Sequence, residues 1–282
     1  MTMLDPAQAV HPPNVDPVSL QKYRKPLIAG NWKMNGMVAQ LSEVEAVAIS
    51  VQAKQPPVEV LMCLPATLIA QAVLTAAGRI AIGGEDCSGD ISGAFTGDLS
   101  AEMLKGAGAS AVIVGHSERR QHHAETDAIV ARKAKAARRA GLLAIICIGE
   151  TSEQRLAGNA MSVCGDQIAG SVPEGMTASN AVIAYEPLWA IGSGHIPTCE
   201  QIIEMHAHIR ACLTQSLGAE GKNLRILYGG SVKPASAHSI LTLPEVGGVL
   251  VGGASQKSAD FLAICQASTA TSAHSANFPK EQ

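Results

Sequence analysis

The chain has 282 residues, of which 47% are hydrophobic and only 16% charged, and 21 Lys+Arg against 24 Asp+Glu leave a net charge of −3. That balance provides no basic excess to neutralise phosphates, so nucleic acid is excluded as the main partner. No apolar run approaches the roughly 18–20 residues of a membrane span, and the length suits either two domains or one (β/α)8 barrel of about 250 residues.

Residues 1–25 show no clear periodicity and read as an N-terminal extension outside the core. No apolar stretch there has the form of a secretory signal. From residue 26 one grammar recurs: a short apolar run, a Gly or polar loop, then a longer amphipathic stretch. The apolar runs fall at 27–29, 58–64, 80–83, 111–115, 143–148, 181–185, 225–228 and 248–251. Each is continuously apolar rather than alternating, as strands covered on both faces require. Between them, 127–139 carries Ile129, Val130 and several alanines on one face and basic residues on the other, with Gly141 to stop the helix. Residues 198–217 repeat that pattern. Residues 267–282 are a Ser/Thr/Ala-rich tail.

Strand alternating with helix implies right-handed βαβ units and a parallel sheet. Eight such units in residues 26–266 predict a single-domain α/β fold, a closed (β/α)8 barrel. The competing open doubly wound sheet lacks its dinucleotide fingerprint, because Gly30 is followed by Asn31-Trp32-Lys33-Met34-Asn35-Gly36. The seven cysteines (63, 87, 147, 164, 199, 212 and 265) form no C-x-x-C pair. They read as free thiols in a reducing cytoplasm rather than as a disulfide framework or a zinc site.

In such a barrel the chemistry belongs at the C-terminal ends of the strands. Gly229-Gly230-Ser231 and Gly252-Gly253-Ala254-Ser255 follow the last two strands. One Gly-Gly reads equally well as a tight turn. Two in consecutive units favour a phosphate site, where backbone N–H groups approach the anion closely. Lys33, at the end of the first strand, is placed to attract an anion and stabilise developing negative charge. His116 stands where a helix begins, and the helix N–H groups would hold its imidazole neutral. Glu186 directly follows a strand and precedes Pro187, a good setting for a general base. One carboxylate, one neutral His and one Lys around a phosphate pocket suggest proton transfer beside a carbonyl. The other histidines suit this chemistry less; His206 and His208, two residues apart, cannot share a helix face.

The segments Gly30-Asn31-Trp32-Lys33-Met34-Asn35, Gly93-Ala94-Phe95-Thr96-Gly97, Val114-Gly115-His116-Ser117-Glu118-Arg119-Arg120, Cys147-Ile148-Gly149-Glu150, Ala184-Tyr185-Glu186-Pro187-Leu188-Trp189-Ala190-Ile191-Gly192 and Tyr228-Gly229-Gly230-Ser231-Val232 occur in this order. Together they closely resemble the triosephosphate isomerase family over about residues 26–265. The resemblance implies a TIM barrel that interconverts dihydroxyacetone phosphate and D-glyceraldehyde 3-phosphate, with neither cofactor nor metal. It implies Glu186 as base, His116 as neutral proton shuttle, and Lys33 with Asn31 binding substrate. Glu118 would orient Lys33, and backbone N–H groups of Gly192, Ser231, Gly252 and Gly253 would hold phosphate. Residues 187–194 would form a closing lid, and the Phe95-Thr96-Gly97 loop would insert into the partner of a homodimer.

The sequence departs from the family at several places. Glu85 replaces the usual Gln near the expected interface, where a carboxylate costs desolvation unless paired or protonated. Asp98 replaces Glu and is a methylene short for its expected partner, Arg119. Ser193 and His195 replace Thr and Lys around the lid, and Gln256 and Ser258 replace Leu and Pro. Two other readings compete: another sugar-phosphate isomerase or epimerase, and a catalytically altered barrel kept for binding. The first would not need His116, Glu186 and Lys33 together, and the second predicts the loss of one of them.

Overall fold

The computed structural model describes residues 25–191 and 197–268. Eight parallel strands follow one another in chain order: β1 (Leu27–Asn31), β2 (Glu59–Cys63), β3 (Ala81–Gly84), β4 (Ala111–Val114), β5 (Leu143–Ile148), β6 (Ala181–Tyr185), β7 (Arg225–Tyr228) and β8 (Gly248–Val251). Each pairs with the next, and β8 returns to β1 with Leu27 beside Gly248, closing the barrel. The helices are α1 (Leu41–Lys54), α2 (Ala66–Ala76), α3 (Ala101–Gly106), α4 (Ser117–His122), α5 (Asp127–Arg139), α6 (Ser152–Leu156), α7 (Ala160–Ser171), α8 (Cys199–Leu217), α9 (Ala219–Asn223), α10 (Pro234–Leu241) and α11 (Ser258–Ala267).

The continuously apolar runs are strands because both of their faces are dry. Leu27, Ala29, Leu61, Cys63, Ile113, Ile145, Cys147, Val182 and Leu227 fill the barrel interior. Their neighbours Ile28, Met62, Val112, Ile146, Ile183 and Ile226 point outward under the helices. This is the period-two alternation of a strand with two buried faces. Burying each large side chain contributes about 1.5–3 kcal/mol.

The last four strands and α5 have the bounds expected from sequence. Elsewhere the ends shift by one or two residues. β1 runs on to Asn31, whereas β4 stops at Val114 because Gly115 turns to φ +67, and any Cβ there would meet Val130 at 2.6 Å. Thr198 is the cap of α8 rather than its first turn, accepting from Gln201 N–H at 3.3 Å. α11 ends at Ala267, one residue past the expected end of the barrel. Residues 1–24 and 269–282 lie outside the described residues, and so do Gly192, Ser193 and His195. Among the described residues no helix is long and apolar enough to cross a membrane. All seven cysteines are free, and five of them are buried.

Candidate active site

A cavity of about 620 Å³ opens at the C-terminal ends of the strands, lined by Asn31, Lys33, His116, Glu186, Ser231, Gly252 and Gly253 among others. The first strand enters it through a sharp turn. Lys33 adopts φ +58, a left-handed conformation that costs a β-carbon-bearing residue about 1–2 kcal/mol. Two bonds fix that turn: Lys33 N–H donates to Asn31 Oδ1 at 3.1 Å, and Asn35 N–H donates to Lys33 O at 2.8 Å. The Lys33 ammonium then meets Glu118 Oε1 at 2.6 Å. Trp32, wholly buried, ties the turn to the loop after β8 by donating from Nε1 to Ser255 O at 2.9 Å.

Gly115 ends β4 and His116 caps α4. His116 Nδ1 accepts from Glu118 N–H at 3.2 Å, which requires a ring nitrogen without a proton. Nε2 lies 2.8 Å from Glu186 Oε1 and is therefore the donor, giving the neutral Nε2–H tautomer. Burial disfavours the imidazolium, but the Glu186 carboxylate outweighs it and raises the His116 pKa above its ordinary value. The helix hydrogen bond thus sets the tautomer while the neighbouring carboxylate opposes neutrality. The two groups form one coupled pair.

Glu186 leaves the end of β6 with its N–H bonded to Ile148 O at 2.8 Å. Its side chain is only 2% exposed, and Oε2 accepts from Ser117 N–H at 2.9 Å. Across the cavity lie the glycine loops. Gly230 sits over the Tyr228 ring, where a side chain would collide with the hydroxyl. Ser255 Oγ donates to Gly252 O at 2.7 Å and steadies the second loop. Ser231 Oγ reaches Ala190 O at 3.2 Å, linking the first loop to the segment after Glu186.

The model of the triosephosphate isomerase family matches residues 26–268. A triosephosphate isomerase of Rhodopseudomonas palustris is 56% identical over 241 residues, 84% of this chain and 95% of the relative. One of Afipia carboxidovorans is 57% identical over 244 residues, 86% of this chain and 97% of the relative. The crystal structure of triosephosphate isomerase from Bartonella henselae superposes with a TM-score of 0.81 at 47% identity, covering 87% of this chain and 99% of that one. The chain belongs to the triosephosphate isomerase family. It is accordingly an aldose–ketose isomerase.

The structure brings together Asn31, Lys33, His116, Glu186, Ser231, Gly252 and Gly253, and places Glu118 against Lys33. Sequence reading assigned no task to several residues that organise this triosephosphate isomerase site. Ser117 N–H, a backbone group, is invisible in a side-chain motif. Glu150, fully buried, accepts from Tyr185 Oη at 3.0 Å and Trp189 Nε1 at 2.8 Å and pairs with Arg155 at 3.0 Å. An isolated Glu just after an apolar strand was its available signal. Lys233 and Asp260 also line the cavity.

Departures from the family pattern acquire surroundings. Arg119 is engaged by Asp86 at 2.9 Å and by Glu125 at 2.5 Å, so the expected Asp98–Arg119 pair does not form within this chain. Gln256 donates to Trp32 O at 3.2 Å, and Ser258 N–H donates to Glu43 at 2.7 Å. Glu85 Oε1 is buried without a hydrogen-bond partner among the described residues, and burial pushes its carboxyl up to about 8.

Proposed function

We propose that the chain interconverts dihydroxyacetone phosphate and D-glyceraldehyde 3-phosphate, a step of glycolysis and gluconeogenesis, with Glu186 as base and His116 as electrophile. The observation that carries these roles is the 2.8 Å contact between Glu186 Oε1 and His116 Nε2 inside a cavity that also holds Lys33. Substrate phosphate lies on the glycine loops, met by backbone N–H groups of Ser231, Gly252 and Gly253, with Gly192 as a fourth donor. Glu186 turns from Ser117 and His116 to the substrate and takes the proton from C1. The C1–H electrons form the C1–C2 double bond and the carbonyl electrons move onto O2.

His116 donates its Nε2 proton to O2 and takes the proton of the O1 hydroxyl. Glu186 returns its proton to C2, and O1 becomes the aldehyde oxygen. The Lys33 ammonium, oriented by Glu118, and the His116 N–H stabilise charge that exists only in the transition state and the enediolate. The segment 187–194 closes over the substrate and excludes water. Glu150 holds the start of that lid through Trp189.

We assign the working form as a homodimer. Phe95 is 52% exposed and Met34 96% exposed, and a neighbouring recess of about 470 Å³ is lined by Asn31, Lys33, Glu85 and Leu99. Exposed apolar groups beside a recess favour burial against a second copy whose Phe95-Thr96-Gly97 loop fills it. The free thiols favour the cytoplasm.

The test is a coupled assay of D-glyceraldehyde 3-phosphate turnover without added metal or cofactor, with sedimentation run in parallel. Rapid turnover blocked by a phosphate-bearing enediolate mimic is expected from a dimer. Folded protein without turnover overturns the catalytic assignment, and a fully active monomer overturns the dimer.

A further inference from the structure

The proposed roles leave two charged side chains of the cavity unused. Lys233 follows the glycine loop after β7 and precedes α10, and Asp260 lies in the first turn of α11. The main chain of Lys233 is pinned: its N–H donates to Ser236 Oγ at 3.1 Å and its carbonyl accepts from Ser236 N–H at 3.0 Å. Its ammonium is exposed and, among the described residues, has no carboxylate within ion-pair distance. Asp260 is likewise exposed and has no cationic partner among them.

The charge balance of the cavity gives these two residues a consequence. The other lysine there, Lys33, is already engaged by Glu118 at 2.6 Å. Glu186 and Asp260 contribute negative charge. A phosphate monoester arrives carrying between one and two negative charges near neutral pH. The glycine loops supply geometry, but each N–H carries only a partial charge. Among the described residues, the remaining uncompensated full positive charge on this cavity is Lys233.

We infer that Lys233 draws the phosphate of the substrate to the glycine loops and holds it there, and that Asp260 opposes it, so that the pair sets substrate affinity and its salt sensitivity. This rests on the phosphate placement proposed above. Lys233 acts on the phosphate end alone; Lys33 acts at the reacting oxygens. Among the described residues neither Lys233 nor Asp260 has an ion-pair partner to lose, so their variants are expected to fold with a thermal midpoint close to that of the wild type.

The experiment measures KM and kcat for D-glyceraldehyde 3-phosphate, and competitive inhibition by inorganic phosphate, at low and high ionic strength. It compares wild type, Lys233→Met, Asp260→Asn and Lys54→Met. Lys54 is an exposed lysine in the last turn of α1, outside the cavity, so its variant controls for net charge. At low salt Lys233→Met is expected to raise KM and the phosphate inhibition constant about three- to ten-fold, the size of one charge acting across several ångströms of partly aqueous medium. The loss falls in KM rather than kcat. Asp260→Asn shifts both constants the other way, and high salt narrows the difference. Turnover of phosphate-free D-glyceraldehyde moves with neither variant.

The inference is overturned if Lys233→Met behaves as Lys54→Met does, if it loses equally on D-glyceraldehyde, or if Asp260→Asn shifts KM in the same direction as Lys233→Met. Wild type that inorganic phosphate does not inhibit overturns the phosphate placement as well. Wild type that is inhibited, beside an equally inhibited Lys233→Met, overturns only the role of Lys233.

Discussion

Glu186 and Glu85 both carry a carboxylate into the barrel mouth, one after β6 and the other after β3, and the fold equips them in opposite ways. Glu186 meets two donors, Ser117 N–H at 2.9 Å and His116 Nε2 at 2.8 Å. Glu85 keeps Oε1 buried with no partner among the described residues, and burial drives its carboxyl up to about 8 despite the N–H groups of Lys33 and Trp32. The residue next to it, Asp86, is instead held by Lys133 at 2.7 Å and Arg119 at 2.9 Å. Depth of burial does not decide what a carboxyl does; the donors that neighbouring strands and helices bring to it do.

The same substitution at the two sites should therefore have opposite consequences. Glu186→Gln leaves the fold intact and lowers turnover by ~10²–10⁴-fold, the range for a positioned base. A coupled assay beside a thermal melt checks this, and near-normal turnover would falsify the base assignment. Glu85→Gln keeps turnover and raises stability at alkaline pH. The sign follows from the protons bound. With an ordinary value of 4.5 and a folded value of about 8, the folded chain holds the extra proton between those limits. The contribution of Glu85 is fully present below 4.5 and is lost as pH rises through about 8, a change of at most about 5 kcal/mol. Denaturant titrations at pH 5 and pH 9 should show wild type and variant alike at the lower pH and separated at the higher. Equal separation at both would remove the protonation argument.

A smaller effect of opposite slope is expected from a buried base. His206, fully buried, donates from Nδ1 to Glu245 O at 3.2 Å while Nε2 has no partner among the described residues, and burial pulls its pKa down to about 4. The unfolded chain binds the proton more readily between about 4 and 6.5. The contribution of His206 is thus complete above 6.5 and is lost as pH falls through about 4, by about 3 kcal/mol. In His206→Gln the acid limb of the stability curve should flatten. A curve parallel to wild type from pH 7 to pH 4 would show that folded and unfolded His206 take up the proton equally, and would remove the burial argument.

Much of this was legible along the chain. Residues 143–148 and 181–185 read as strands because every position is apolar, and Gly141 marks the stop of α5. Glu186, His116 and Lys33 stood out because polar residues interrupt apolar runs where strands end. The desolvation cost of Glu85 was equally visible in its type and place. Its outcome was not, since that depends on which groups face it. The expected Asp98–Arg119 pair failed for the same reason: Asp86 and Glu125 reach the guanidinium first. Nor did any local pattern mark Glu150 as the shared acceptor of Tyr185 and Trp189.

The sequence by itself determined the strand–helix alternation, the doubly buried strands and the set of reactive side chains at strand ends, because each is a property of a short stretch of chain. Only the tertiary structure decided which of these groups meet. Lys33 reaches Glu118 across 85 residues, and Ser117 N–H reaches Glu186 across 69. Closing β8 onto β1 brings those distant ends into one low-dielectric mouth. There the charge and tautomer of each group depend on neighbours that no local sequence pattern contains.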